Sequence, residues 1–273
     1  MSRNRAIAAT LVSLTRALGR ALISERVARQ RGLLQALDPR VRVIGLFALV
    51  LAVTLSDRIS VIVALFCAAV VVALLSKVSL ASLAARVWLP VLFFTGVIAL
   101  PALVLTPGEP ILAPTGGSFP VTAQGMSAAL LLIARVETAV TLTTLLILCT
   151  PWMQVLQALR AFHVPQDVVV MLAMTHRYIF LLAETAGQMF ESRQSRTVGV
   201  FDGATRRRMT ARTAGVLLSK SVELSNEVFL SMQSRGFRGD VRVLSSFRMR
   251  SRDYIGLVAF LVAGGVAVWI GRS

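Results

Sequence analysis

Acidic side chains are scarce in this sequence: 13 aspartates and glutamates stand against 29 lysines and arginines in 273 residues, a formal net charge of +16. Histidine and cysteine are scarcer still, with two of each. Cys67 and Cys149 both sit inside apolar runs, where a thiol behaves as a small apolar side chain, so neither a disulfide framework nor a metal site is expected. With His163 and His176 alone, and no closely spaced aspartate pair, the residues of a membrane-embedded hydrolase or phosphotransferase are missing. No Walker-type glycine loop is present, so the chain is not expected to hydrolyse ATP itself. The N-terminal segment lacks an uninterrupted apolar core and a small-residue cleavage site, and no cleaved signal peptide is expected. These absences together predict no catalytic residues, no metal ligands and no cofactor.

Charge is sparse overall. Charged residues make up 15% of the chain, against ~25% for a soluble domain, while 56% of residues are hydrophobic and the mean hydropathy is +0.74. The apolar residues gather in five runs, at 41–56, 59–75, 87–105, 126–149 and 254–270. These lengths fall near or within the ~17 to 25 residues that a membrane-crossing helix needs. The link at Asp57 and Arg58 is too short for anything but a tight hairpin. Pro90 and Pro101 in the third run are tolerable in a membrane, where neighbouring helices satisfy the freed carbonyls. Tyr254 and Trp269 bracket the last run as interfacial aromatics do. The expected fold class is all-α, a polytopic membrane protein with about five transmembrane helices and amphipathic helices on the cytoplasmic side.

The placement of the basic residues sets an expected orientation. Arginines crowd residues 1–40, and Leu11, Leu14, Leu18, Leu22 and Ile23 recur there at helical spacing, as in an amphipathic helix lying on an anionic membrane surface. Placing this segment inside puts the 57–58 turn outside, the link with Lys77 and Arg86 inside, and the loop 106–120, which has no Lys or Arg, outside. The stretch 150–253, with 15 Lys or Arg, then falls inside and the C-terminus outside. The expected organisation is a basic N-terminal cytoplasmic segment (1–40), a four-span membrane region (41–149), a cytoplasmic region (150–253) and a final span (254–273), in the inner membrane. A sixth span over 168–183 would enclose His176 and Arg177 and disturb this charge balance.

The cytoplasmic region predicts three helices. Pro151 suits the first turn of one that continues through Met153, Leu156, Leu159 and Arg160 to about Phe162. Pro165 separates it from a long helix from Gln166 to about Arg196, on which Arg177, Glu184, Gln188, Glu191 and Ser195 fall within a sector of roughly 60°. A third helix, from about Ala204 to Ser234, gathers Leu217, Leu218, Val222, Leu224, Val228, Phe229 and Met232 within roughly 160°, opposite Arg212, Lys220, Glu223, Asn226 and Glu227. Both long helices end alike, at Ser195-Arg196-Thr197 with Gly199 beyond, and at Ser234-Arg235, followed by Gly236 and Gly239, where a left-handed cap is expected. An arginine at such an end faces the negative pole of the helix dipole and projects beyond the last turn. The two arginines, 39 residues apart, have the form of paired prongs for acidic grooves on a partner.

At these motifs the chain resembles the transmembrane (T) component of energy-coupling factor (ECF) transporters, in the cobalt-type, CbiQ-like branch. The resemblance runs from about residue 36 to the end, through ALDPRVRVIG, the context of Arg135, TPWMQVLQALRAFHVP, HRYIFLLAETAGQMFESRQSR and SMQSRGFRGD. It implies a coupling scaffold that joins two ATP-binding-cassette ATPase subunits to a membrane substrate-binding (S) subunit, for cobalt or nickel uptake. It also implies that Ser195, Arg196, Thr197, Ser234, Arg235 and Gly236 engage the ATPases, and that Leu218, Val222, Phe229 and Met232 contact the substrate-binding subunit. The family pattern places Ala before and Gly after each arginine, whereas here Ser precedes both and Thr197 follows the first.

Two alternatives belong to other classes. A membrane-anchored nucleic-acid binder would use the Arg206, Arg207 and Arg208 cluster, but aromatics that stack bases are sparse around it, and no nucleic-acid partner is expected. A self-sufficient permease would rely on the mid-span charges Arg135 and Glu137, which lie two positions apart and so on different helix faces.

Overall fold

The computed structural model describes residues 32–106, 110–112, 121–196, 203–237 and 251–272. The amphipathic helix expected near the N-terminus, Thr197 and the glycines at 199 and 239 lie outside the described residues.

Helix α1 (Pro39–Leu55) opens at Asp38, whose side chain accepts from the Arg40 amide, and Pro39 fills the first helical position, where no N–H is needed. After a three-residue turn, α2 (Ile59–Leu75) returns. It ends at Lys77 in the left-handed region (φ 56°), with the Lys77 amide on the Leu74 carbonyl and the Val78 amide on the Ala73 carbonyl. Helix α3 (Leu80–Leu83) leads through one π-helical turn, Ala84–Trp88, into α4 (Leu89–Leu105). This third apolar helix therefore begins before the run at 87, because Arg86 interrupts the hydropathy but not the backbone ladder.

Strands β1 (Pro110–Leu112) and β2 (Val121–Thr122) form a short antiparallel ladder that composition did not signal, and Thr122 caps α5 (Ala123–Cys149) by accepting from the Gly125 amide. The remaining helices are α6 (Trp152–Ala161), α7 (Gln166–Ser195), α8 (Gly203–Ser234) and α9 (Ser251–Arg272). His163 (φ 61°) closes α6 with the same pair of capping bonds as Lys77, which gives this histidine a backbone role.

The described residues fall into two compact units, one from α1 to Ala158 together with α9, the other from Leu159 through α8. In the first, Leu46, Leu49, Val53, Ile62, Leu142 and Leu145 share a core with Ala267 of α9. Phe47, Phe93, Phe94 and Trp269 are exposed on its outside. An apolar exterior around an apolar core is the pattern of helices surrounded by lipid.

Helices α1 and α9 run parallel. At their starts, the Asp38 amide donates to Asp253 Oδ1 at 2.8 Å; at their ends, the Asp57 amide donates to the Gly271 carbonyl at 3.1 Å. Small residues let them approach: a Cβ at Gly45 would lie 2.5 Å from the Phe260 ring, and one at Gly271 would lie 2.7 Å from Ser56 Cβ. Helix α5 is antiparallel to α1, since Arg135 reaches the Ser56 carbonyl while the Cys149 carbonyl meets Arg42. Trp88 Nε1 donates to Thr141 Oγ1 at 3.0 Å and Thr122 Oγ1 donates to the Thr106 carbonyl at 2.9 Å, so α4 is antiparallel to α5.

By length and composition Leu80–Pro101, Ala123–Cys149, Gln166–Ser192 and Ser251–Arg272 are long and apolar enough to cross a membrane, and Ile59–Leu75 is a shorter apolar helix. The chain leaves the bundle at the end of α5 and re-enters it at the start of α9, at the same end. A single crossing by the segment 168–183 would reverse α9 and is incompatible with its parallel run beside α1.

Candidate functional site

In the second unit α7 and α8 are in contact and expose apolar surface. Along α7 the predicted polar positions Arg177, Glu184, Gln188, Glu191 and Ser195 are all exposed, but so are Val168, Met171, Ile179 and Leu181. On α8, Met209, Thr213, Leu217, Ser221, Leu224, Val228 and Met232 recur every three or four residues and are partly or wholly shielded. Beside this stripe Leu218, Val222 and Phe229 are 68%, 57% and 53% exposed. The proposed contact residues thus divide, with Met232 half-buried on the shielded stripe and the other three open.

The two arginines occupy helix ends. Arg196 directly follows α7 and is exposed. Arg235 is the last residue before a left-handed Gly236 (φ 81°); the Gly236 amide bonds the Gln233 carbonyl at 2.9 Å and the Phe237 amide bonds the Met232 carbonyl at 3.0 Å. This double closure satisfies carbonyls that the helix end leaves free and holds the Arg235 backbone in one conformation, with its side chain exposed. Ser195 and Ser234 turn inward locally, each hydroxyl bonding the carbonyl three residues back, at Ser192 and Ser231.

Chain geometry separates the prongs. Six residues lie between Arg196 and Gly203, a reach of at most about 25 Å. Helix α8, 32 residues long, carries the chain about 48 Å. The Cα atoms of Arg196 and Arg235 are therefore at least ~20 Å apart.

The mid-span charges have different surroundings. Arg135 Nη2 donates to the Ser56 carbonyl at 2.8 Å and pairs with Asp57 Oδ1 at 3.2 Å, locking the α1–α2 turn. Glu137 is 8% exposed, and neither carboxyl oxygen has a hydrogen-bond partner. A buried arginine not singled out from the sequence is Arg42, 2% exposed. It donates to the carbonyls of Leu37 and Cys149 and to Gln154 Oε1, joining the start of α1, the end of α5 and α6. Asp38 and Asp253 lie close enough to act on it electrostatically. An arginine three residues after an Asp-Pro helix start, with the apolar run beginning around it, was the available signal. Among the described residues no three His, Cys, Asp or Glu side chains come together as a metal site would need.

A bundle of apolar helices with a buried arginine, Arg42, at one end and a half-buried one, Arg135, at the other, joined in sequence to long helices that carry exposed arginines at their tips, is an all-α polytopic membrane protein. The CbiQ family of cobalt transport proteins matches residues 30–245, and the chain belongs to this family of ECF transporter T components. The chain is 31% identical over 195 residues, 69% of its length and 77% of the relative's, to the cobalt transport protein CbiQ of Rhodobacter capsulatus. It is 27% identical over 180 residues, 61% of its length and 65% of the relative's, to the energy-coupling factor transporter transmembrane protein EcfT of Leuconostoc gelidum. Over 123 residues, 45% of this chain and 42% of the relative, it is 29% identical to the nickel permease LarQ of Lactiplantibacillus plantarum. The family match takes in Arg42, Arg135, Arg196 and Arg235 and ends before α9.

Proposed function

We propose that this chain is the coupling scaffold of an ECF-type importer for cobalt or nickel. It joins two ATPase subunits to a membrane substrate-binding subunit and hydrolyses no ATP itself. The observation that carries this reading is the pair of exposed arginines at the ends of successive long helices, their backbones at least ~20 Å apart and so suited to one ATPase subunit each. A guanidinium offers a planar fork of donors to acidic side chains. In this reading Ser195, Arg196 and Thr197 engage one ATPase, and Ser234, Arg235 and Gly236 the other. Leu218, Val222, Phe229 and Met232 meet the substrate-binding subunit, and ATP-driven closure of the ATPase pair moves α7 and α8 against it. The names of the cobalt and nickel relatives support the choice of ion. The basic loops support an inner-membrane orientation with the N-terminus and residues 150–253 inside and the C-terminus outside, the membrane region comprising 41–149 and 254–273.

Co-purification of the ATPases with variants of this chain, together with uptake of labelled cobalt, tests the reading. Losing one partner of a desolvated charge pair costs about 2 to 5 kcal/mol, and two prongs on one scaffold act as linked contacts. Arg196→Ala or Arg235→Ala alone should weaken capture, and the double variant should abolish it; lysine should rescue in part, and Arg207→Ala should be silent. Phe229→Glu should release the substrate-binding subunit while the ATPases stay bound. A double arginine variant that holds the ATPases and transports normally would refute the mechanism.

A further inference from the structure

Between α1 and α9 an open apolar groove of about 630 Å³ faces the surroundings of the bundle. Its floor is made by missing side chains, Ala52, Gly264 and Gly265, and a Cβ added at Gly265 would meet nothing within 4 Å. Leu55 and Trp269 flank its outer end, and Arg272 closes it. No hydrogen bond or ion pair joins the Arg272 side chain to another described residue, and Trp269 is 75% exposed.

Depth and charge select the occupant. From Arg272 to Leu261 the groove follows α9 for 11 residues, about 16 Å, which is roughly half of a ~30 Å hydrocarbon core. Below that level Phe260 fills the seam against Gly45. A transmembrane helix of a partner would cross both leaflets, whereas an acyl chain ends where this groove ends. At the same end of the bundle stand three arginines, Arg58, Arg135 and Arg272, and one carboxylate, Asp57, among the described residues, and Arg135 already pairs with it. The surplus positive charge lies at headgroup depth beside an interfacial tryptophan.

We propose that this groove binds one acyl chain of an anionic glycerophospholipid, with the headgroup phosphate on Arg272. The inference rests on the membrane fold alone and is independent of how the ATPases are coupled.

The test uses the full chain in phosphatidylcholine nanodiscs doped with phosphatidylglycerol carrying dibrominated acyl chains. The sequence has three tryptophans, and Trp88→Phe with Trp152→Phe leaves Trp269 as the reporter in the groove. Quenching of Trp269 should reach its midpoint at about fivefold less brominated phosphatidylglycerol than brominated phosphatidylcholine, the effect of one arginine at the headgroup level. Arg272→Gln should erase the preference, and so should Gly265→Leu, which fills the groove where there is room for it. Native mass spectrometry of the chain with its tryptophans intact should show phosphatidylglycerol retained, and lost in Arg272→Gln. Equal quenching by the two lipids, or a preference that survives both substitutions, overturns the proposal. Loss of quenching by both lipids when the partner membrane subunit is co-purified gives the groove to a partner helix and overturns it equally.

Discussion

Arg42 Nη2 donates to Gln154 Oε1 at 2.9 Å, linking residues 112 positions apart across the ends of α1 and α6. The same guanidinium bonds the Cys149 carbonyl, so one side chain holds the point where the chain leaves the bundle for the second unit. Removing it strands buried acceptors and leaves Asp38 and Asp253 without their nearby cation. Arg42→Ala should lower stability by about 3 to 5 kcal/mol. Arg42→Lys should recover part of this, since an ammonium lacks the fork that reaches three acceptors. Thermal unfolding of the purified protein in detergent reads both.

The Arg135–Asp57 ion pair and the Arg135–Ser56 bond should separate on mutation. Asp57 is 79% exposed, so its share is screened and Asp57→Asn should cost no more than about 1 kcal/mol. The bond to the Ser56 carbonyl is part-buried and charge-assisted, and Arg135→Leu should cost about 1.5 to 3 kcal/mol. Equal losses in the two variants, measured by the same unfolding assay, would assign the clamp to the ion pair instead.

Close approach of α9 to α1 gives a paired test on glycines. Gly271→Ala places a Cβ 2.7 Å from Ser56 Cβ and 3.0 Å from its Cα, a clash that only backbone movement relieves. It should destabilise by about 1 to 3 kcal/mol. Gly265→Ala meets open space and should stay within about half a kcal/mol of the unsubstituted protein.

Glu137 offers the opposite case, a buried carboxyl with no partner. An ionised group so placed costs several kcal/mol, and glutamine keeps its shape without the charge. Glu137→Gln should leave the melting temperature unchanged or raised, with uptake retained. A folded Glu137→Gln complex that assembles but does not transport would give this carboxyl a part in the transport cycle.

The apolar runs were legible because burial in lipid imposes length and composition on each segment separately, whatever its neighbours do. The ends of α6 and α8 were legible for a local reason: Pro165 and Gly236 change what the backbone can do within a few residues. The position of Arg235 followed from the end of α8, and Arg196 stands one residue beyond the end of α7. The helix of the third apolar run begins earlier than the run itself, because Arg86 ends the hydropathy while a π-helical turn carries the backbone through it.

Other features had no local signal. That α9 lies parallel to α1 depends on Gly45 meeting Phe260 and Gly271 meeting Ser56, contacts between residues more than 200 positions apart. This parallel run is also what decides against a lone crossing by 168–183, which composition left open. Arg42 and Glu137 look alike in sequence, each a charge in an apolar run. Packing places three acceptors around one and none around the other. The sequence by itself therefore determined where the apolar runs lie and where the long helices stop, because those are properties of a segment and its solvent. Which charges are satisfied, and where the surface opens into a groove, only the tertiary structure decided, because both depend on what the other helices bring to the same point.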